Sequence, residues 1–297
     1  MSQQLVTSQT SISRFEDFKA ITKMGLSISV VFSSIAGYLL AATEIDPFVI
    51  ISLAAGGYCM VGASNVFNQI IEKDLDALMV RTKNRPIPSG RISVVNAFII
   101  GVSLTVLGLT ILYCINPKTA MFAAISIFLY TSVYTPLKQK TPLSVFAGAI
   151  PGAIPFMLGW VAFTGRFDIE PGILFMIQFF WQFPHFWAIA WFLDEDYKKA
   201  GFLMLPTGAK DKGTILQIII YISWTVLISV IPAFGFTGNL ELSWIAVVMI
   251  VFSGLVFLSF GFKLFKNQTD KTAKQLMLVS VIYITALQLI YVIDKIL

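Results

Sequence analysis

The 297-residue chain is 57% hydrophobic and 12% charged, against about 25% charged in an ordinary soluble domain, and its mean hydropathy is +0.80. That composition excludes a soluble enzyme, a disordered chain and a nucleic-acid binder, so the net charge of +5 and pI of 9.1 point to a membrane surface. Cys59 and Cys114 both lie in apolar runs, as small hydrophobic residues with neither metal spacing nor a disulfide framework.

Residues 1–19 are rich in Ser, Thr and Gln and lack the apolar segment of a cleavable signal. They are expected to be a flexible cytoplasmic tail ahead of a single transmembrane domain at 20–297. Nine apolar stretches follow, at 20–42, 46–69, 94–115, 118–135, 142–163, 171–193, 214–235, 241–264 and 275–296. Each is near the length, about 20 residues, that a helix needs to cross a bilayer core. Pro47, Pro117, Pro142 and Pro171 stand at helix starts, where a missing N–H costs nothing. The runs are continuous rather than alternating, which predicts an all-α polytopic membrane protein and not a barrel.

Basic residues set the orientation. With the N-terminus inside, only Lys118, Arg166 and Lys295 of the 21 Lys and Arg fall outside. The C-terminus is then external. The longest loops, at 70–93 and 194–213, are both internal, so the chemistry is expected to face the cytoplasm.

The second span ends in Asn65, Asn68, Glu72 and Asp76, spaced three, four and four, which stacks them on one helical face. Acceptors in line at the membrane edge suit a hard divalent cation such as Mg²⁺, with a substrate phosphate completing its shell. Arg81, Lys83 and Arg85 follow at once, and arginine is the bidentate phosphate binder. A solvated helix end with ordinary inside charges is the plainer reading. The sixth span runs Trp181-Gln182-Phe183-Pro184-His185-Phe186-Trp187 and leads into Asp194, Glu195 and Asp196, then Lys198 and Lys199. Two acidic clusters on one membrane side suit two or more Mg²⁺ ions around one diphosphate. His185 is the chain's only histidine. Iron ligation, proton transfer and packing are all open to it. Pro184 is expected to kink this helix and free a backbone carbonyl. A further inner loop, Tyr134-Thr135-Pro136-Leu137-Lys138, precedes Gly148, Pro151, Gly152 and Pro155, which permit close helix approach.

These segments resemble the UbiA-type intramembrane prenyltransferases. The superfamily resemblance rests on Asn68, Glu72 and Asp76 with Arg81-Thr82-Lys83-Asn84-Arg85-Pro86, and on the second acidic loop. Three further segments resemble the branch that farnesylates haem: Tyr134 to Lys138 with Lys140-Thr141, Trp181 to Phe186, and Asp196 to Gly201 leading to Met204-Leu205-Pro206. The resemblance implies a helical bundle around a central cavity open to the cytoplasm, in a bacterial plasma (inner) membrane, with farnesyl diphosphate and haem B as substrates and Mg²⁺ as cofactor. By the same resemblance Asn68, Arg81, Arg85, Lys138 and Lys199 meet diphosphate. Glu72, Asp76 and Asp196 hold metal, and His185 and Trp181 meet haem. Asp76, Asp196 and His185 would be catalytic. A haem A-forming enzyme or a terminal oxidase is the partner so implied. Glu72 departs from the commoner Asp, and Tyr197 and Lys198 interrupt the second acidic pair. The competing readings are a prenyltransferase acting on an aromatic or quinone precursor, and a transporter, whose acids would lie at the midplane.

Overall fold

A computed structural model describes residues 13–297. Residues 1–12 of the expected tail lie outside the described residues. Arg14–Lys19, expected to share that tail, instead begin helix α1 (Arg14–Thr22). Ser13 caps it by accepting from the Glu16 N–H at 3.2 Å, and Glu16 and Asp17 oppose the helix dipole in its first turn. Asp17 is buried and pairs with Arg91 at 2.8 Å, which fastens α1 to the loop before the third span.

Nine helices among the described residues are long and apolar enough to span a membrane. They are α2 (Met24–Ala41), α3 (Pro47–Ile71), α5 (Val94–Ile115), the composite Pro117–Leu137, α8 (Ser144–Thr164), α9 (Ile169–Phe192), α11 (Lys212–Ser229), α12 (Trp244–Asn267) and α13 (Asp270–Ile296). Short helices α4 (Lys73–Leu78) and α10 (Asp194–Lys199) follow the second and sixth spans. The expected first span, 20–42, is divided: Lys23 adopts φ 47° and turns α1 into α2. The seventh ends at Ser229 because Pro232 lies in a separate 3-10 turn, Ile231–Phe234. The fourth joins α6 (Pro117–Phe128), a π-helical segment Leu129–Tyr134, and α7 (Thr135–Leu137). There the widened turn carries the Tyr134-Thr135 pair.

Outward faces carry the expected apolar load. α5 exposes Phe98, Ile99 and Val106, and α12 exposes Ile245, Val248 and Phe252. In water such faces would drive aggregation, whereas lipid solvates them. Cys114, expected to be buried, is on such a face, while Cys59 is buried. Packing inside relies on small residues. α8 is the most enclosed span, and a Cβ on its Gly159 would stand 1.9 Å from the Ser34 carbonyl oxygen of α2. A Cβ on Gly37 would meet the Phe156 carbonyl at 2.0 Å. The two backbones therefore touch, as dispersion-driven packing in lipid requires.

Prolines inside helices remove N–H donors and leave carbonyls one turn back without partners. In α8 Pro155 frees the Pro151 carbonyl, and Ser126 of α6 donates to it at 3.2 Å. Pro184 lies within α9, which runs unbroken from Ile169 to Phe192. Pro184 is thus accommodated inside a continuous helix, with helical turns on both sides of it. A polar seam joins three spans at membrane depth: Gln288 of α13 donates to Ser33 of α2 at 3.0 Å and to Gln178 of α9 at 3.3 Å.

Gly159→Ala should cost about 1–3 kcal/mol or more, because the clash is with backbone and no side chain can yield. Gly172→Ala, with open space at its Cβ, should be neutral or mildly stabilising. Thermal unfolding of the two variants in detergent checks this; equal midpoints would remove the α2–α8 contact as a constraint.

Candidate active site

Three loops converge at the end of the bundle where α3 breaks. α3 stops at Glu72 (φ −95°, ψ 12°) and α4 restarts at Lys73, but the Asp76 N–H still reaches the Glu72 carbonyl at 2.7 Å. The turn is thus continued and the three- and four-residue spacing survives. Asn68, Glu72 and Asp76 all face inward and are buried. Asn65 is on the same face but serves the scaffold: its amide donates to the Thr22 carbonyl at 3.3 Å, and Gln69 donates to the Ile21 carbonyl at 2.7 Å. These two side chains fix the α1–α2 corner against α3.

Glu72 and Asp76 each have a basic partner. Lys138, directly after α7, meets Glu72 at 2.7 Å. Burial works to lower the Lys138 pKa, but the Glu72 carboxylate outweighs it and holds the ammonium above its usual range. The same ammonium lies 4.6 Å from the Tyr134 ring centroid and 5.6 Å from that of Phe202, within cation–π range. The Tyr134 ring is in turn seated on Gly148, where a Cβ would stand 2.7 Å away. Arg85 meets Asp76 at 2.7 Å through Oδ2. Asn68 donates to Thr135 Oγ1 at 3.2 Å, and Thr135 donates to the Tyr130 carbonyl in the π-helical segment at 2.8 Å. The sequence had therefore marked residues that the fold brings together in two separate ion pairs, and Asn68 finds its partner in Thr135.

Asp196 takes a different place. Its carboxylate accepts from the Val80 and Arg81 N–H groups at 3.3 and 3.2 Å and from Lys199 at 3.1 Å. Burial works against it, but the Lys199 ammonium and the two N–H groups prevail and hold its carboxyl below the usual range. It thereby clips the second acidic loop to the backbone of the first. Among the described residues no three of His, Cys, Asp and Glu group as a metal cage. His185 and Trp181 lie apart from the acids, on the side of α9 that faces α13.

Sequence reasoning missed Lys23. It passed for an ordinary inside charge, but its left-handed backbone at the pinned α1–α2 corner turns it toward the loops. Burial pushes its ammonium down to about 7, the positive charges of Arg85, Lys138 and Arg81 add to that, and Glu72 opposes it. The site is thus over-supplied with positive charge, and an incoming anion would relieve it. Thr135 and Phe202 were also missed as members of the site, though each lies in or beside a segment that carries the resemblance, Tyr134 to Lys138 and Asp196 to Gly201.

The residues fit a divalent cation. Asp76 Oδ1 is buried and has no hydrogen-bond partner. An orphaned carboxylate oxygen costs several kcal/mol in an apolar setting, and a hard oxygen-seeking cation is the partner such an atom fits. With Glu72 one turn before it and four basic side chains around it, the arrangement can hold a cation and a phosphate-like anion together.

The Glu72–Lys138 pair generates a double-variant test. Lys138→Met leaves a buried carboxylate alone and should cost about 3–5 kcal/mol. Glu72→Gln with Lys138→Met should recover most of that loss. Denaturation of the single and double variants in detergent measures the coupling; additive effects would show that the pair does not hold α3 to α7.

Comparison with known proteins follows the same lines. The model of the UbiA prenyltransferase family matches residues 30–285. The chain is 66% identical over 284 residues to the protein from Flavobacterium psychrophilum named protoheme IX farnesyltransferase, covering 95% of each chain. It is similar in fold to a solved structure reported for digeranylgeranylglyceryl phosphate synthase, with a TM-score of 0.77 at 20% identity over 95% of this chain and 98% of that one. It is also similar to a UbiA homolog from Archaeoglobus fulgidus bound to GPP and Mg²⁺, with a TM-score of 0.69 at 14% identity over 93% and 99%. With the family model covering most of its length and the buried acids and bases meeting at one end of a nine-span bundle, the chain belongs to the UbiA prenyltransferase family.

Proposed function

We propose that the chain transfers the farnesyl group of farnesyl diphosphate to a vinyl group of haem B, with addition of water, giving haem O and diphosphate. The observation that carries this reading is the pairing of Glu72 with Lys138 and Asp76 with Arg85 around the orphaned Asp76 oxygen. That site stands in a chain 66% identical to a protein named for farnesyl transfer to protohaem. The homolog bound to GPP and Mg²⁺ supports Mg²⁺ as the cation.

Asn68, Glu72 and Asp76 would hold Mg²⁺, which when bound neutralises the oxygens of the diphosphate. Asp196 serves by placing the Arg81 loop, and a second cation there is a further part of this proposal. Lys23, Arg81, Arg85, Lys138 and Lys199 face the diphosphate. Their charge stabilises the departing group, so the bond from its oxygen to C1 of the farnesyl chain breaks and leaves an allylic cation. The haem vinyl π electrons attack C1. Water captures the new cation beside the pyrrole ring, loses a proton to solvent and completes a hydroxyethyl-farnesyl side chain. Tyr134 and Phe202, already stacked beneath the Lys138 ammonium, offer π faces to positive charge and keep that side dry. Trp181 and His185 hold the haem.

In this reading the site opens on a central cavity at the cytoplasmic face of a bacterial inner membrane, with the N-terminus inside. The concentration of Lys and Arg at that end supports it. A haem A-forming enzyme or a terminal oxidase would receive the product.

Purified protein given haem B, farnesyl diphosphate and Mg²⁺ should form a heavier, more hydrophobic haem, read by chromatography and mass spectrometry. Asp76→Asn keeps the side chain's shape and should lower that turnover about 100-fold or more. Product at the wild-type rate from Asp76→Asn would remove the metal role. Farnesylation of an aromatic acid or quinone precursor in place of haem would replace the substrate assignment.

A further inference from the structure

His185 is held by α13 through one ring nitrogen. Its Nδ1 lies 2.8 Å from Ser280 Oγ. Ser280 Oγ itself donates to the Met277 carbonyl at 2.6 Å. A serine hydroxyl has one proton, and a carbonyl can only accept. The Ser280 proton is therefore committed to Met277, and Oγ must accept from His185. The ring proton sits on Nδ1. In a neutral imidazole this leaves the lone pair on Nε2.

The ring plane is fixed as well. Trp181, one turn earlier on α9, stacks on His185 with centroids 4.8 Å apart and planes 21° apart. The Trp181 indole N–H donates to the Ser280 carbonyl at 2.6 Å, so the stacking partner is anchored to the same residue as the imidazole. Phe186 meets the ring edge-on at 5.6 Å. Ser280 thus governs three things at once: which nitrogen bears the proton, where that nitrogen points, and where the aromatic cover lies. Ser280 is fully buried and His185 half-buried, so the anchored nitrogen faces the α9–α13 seam and the ring is not wholly enclosed.

We propose that Ser280 is a positioning residue that fixes His185 as an Nδ1–H tautomer, so that Nε2 serves as an axial ligand to the iron of the haem substrate. This rests on the haem-farnesylating reading above. It also narrows the roles open to His185: an imidazole with its proton committed to α13 has a lone pair to donate at Nε2 and no proton to spare for acid catalysis. Metal-bound histidines generally donate their other ring N–H to a neighbouring acceptor, and loss of that acceptor costs about 10–100-fold in metal affinity.

Resonance Raman spectra of ferrous haem B bound to the full-length protein in detergent test this directly. Wild type should show an iron–imidazole stretching band, and His185→Ala should lose it and recover it with added imidazole. Ser280→Ala should shift the band and weaken haem binding about 10–100-fold. Ser280→Thr keeps the hydroxyl and should restore both, which separates the hydrogen bond from general packing. Metal-free protoporphyrin should bind wild type and His185→Ala alike. A wild-type protein that farnesylates haem B but shows no such band, or keeps it in His185→Ala, would overturn the ligand assignment. An unshifted band and unchanged affinity in Ser280→Ala would overturn the positioning role. Failure of wild type to farnesylate haem B at all would instead remove the underlying reading.

Discussion

The buried ion pair between Glu72 and Lys138 is the contact on which the active end of this bundle depends. A carboxylate at the end of an apolar helix loses its hydration, and desolvation costs several kcal/mol unless an opposite charge meets it at close range. Lys138 meets it at 2.7 Å. To arrive there the fourth span must deliver its last residues against the end of α3, and the π-helical segment Leu129–Tyr134 sets the rotation that does so. The same turn carries Thr135 to Asn68 and brings Tyr134 beneath the ammonium. Arg85 on Asp76 repeats the solution one turn on. Asp196 then locks the loop between them through the Val80 and Arg81 N–H groups. The acids are thus not a free cage waiting for metal. They are charges already compensated by cations, and a diphosphate with its metal would exchange partners with them.

Much of this was legible in the sequence because membrane physics leaves few alternatives. Nine continuous apolar runs admit only helices, and the nine spans appear with ends shifted by a few residues. The inward face of Asn68, Glu72 and Asp76 followed from helical spacing, and it survives even though α3 breaks at Glu72, since one backbone bond carries the turn forward. Local conformation was not legible. Lys23 adopts a left-handed backbone because Asn65 and Gln69 grip the carbonyls before it, a tertiary cause with no local signature. The π-helical turn likewise answers to contacts between spans. Pro184 removes one donor, and α9 nonetheless runs through it as one helix.

Partnerships across sequence distance were the other gap. Asp196 is an acid in an acidic loop, and its contacts with the Val80 and Arg81 N–H groups and with Lys199 could not be read from that loop alone. Ser280 carried no signal at all, one serine among many in an apolar span. Its meaning emerges only where α13 crosses α9 and meets the chain's single histidine. The bundle therefore divides its labour. One end gathers charge, which on the proposed reading serves the anionic half of the chemistry, and the α9–α13 seam holds a fixed imidazole that would meet the flat, metal-bearing half.

The central claim is that the acids of α3 and α4 trade basic partners for a metal-bridged diphosphate. The affinity of a non-reactive farnesyl diphosphate analogue, measured with and without Mg²⁺ in wild type and in Asp76→Asn, tests it most directly. The account predicts that Mg²⁺ tightens wild-type binding about tenfold or more and that Asp76→Asn abolishes the gain while leaving metal-free binding little changed. An affinity indifferent to Mg²⁺ in wild type, or an equal gain in the variant, would contradict it.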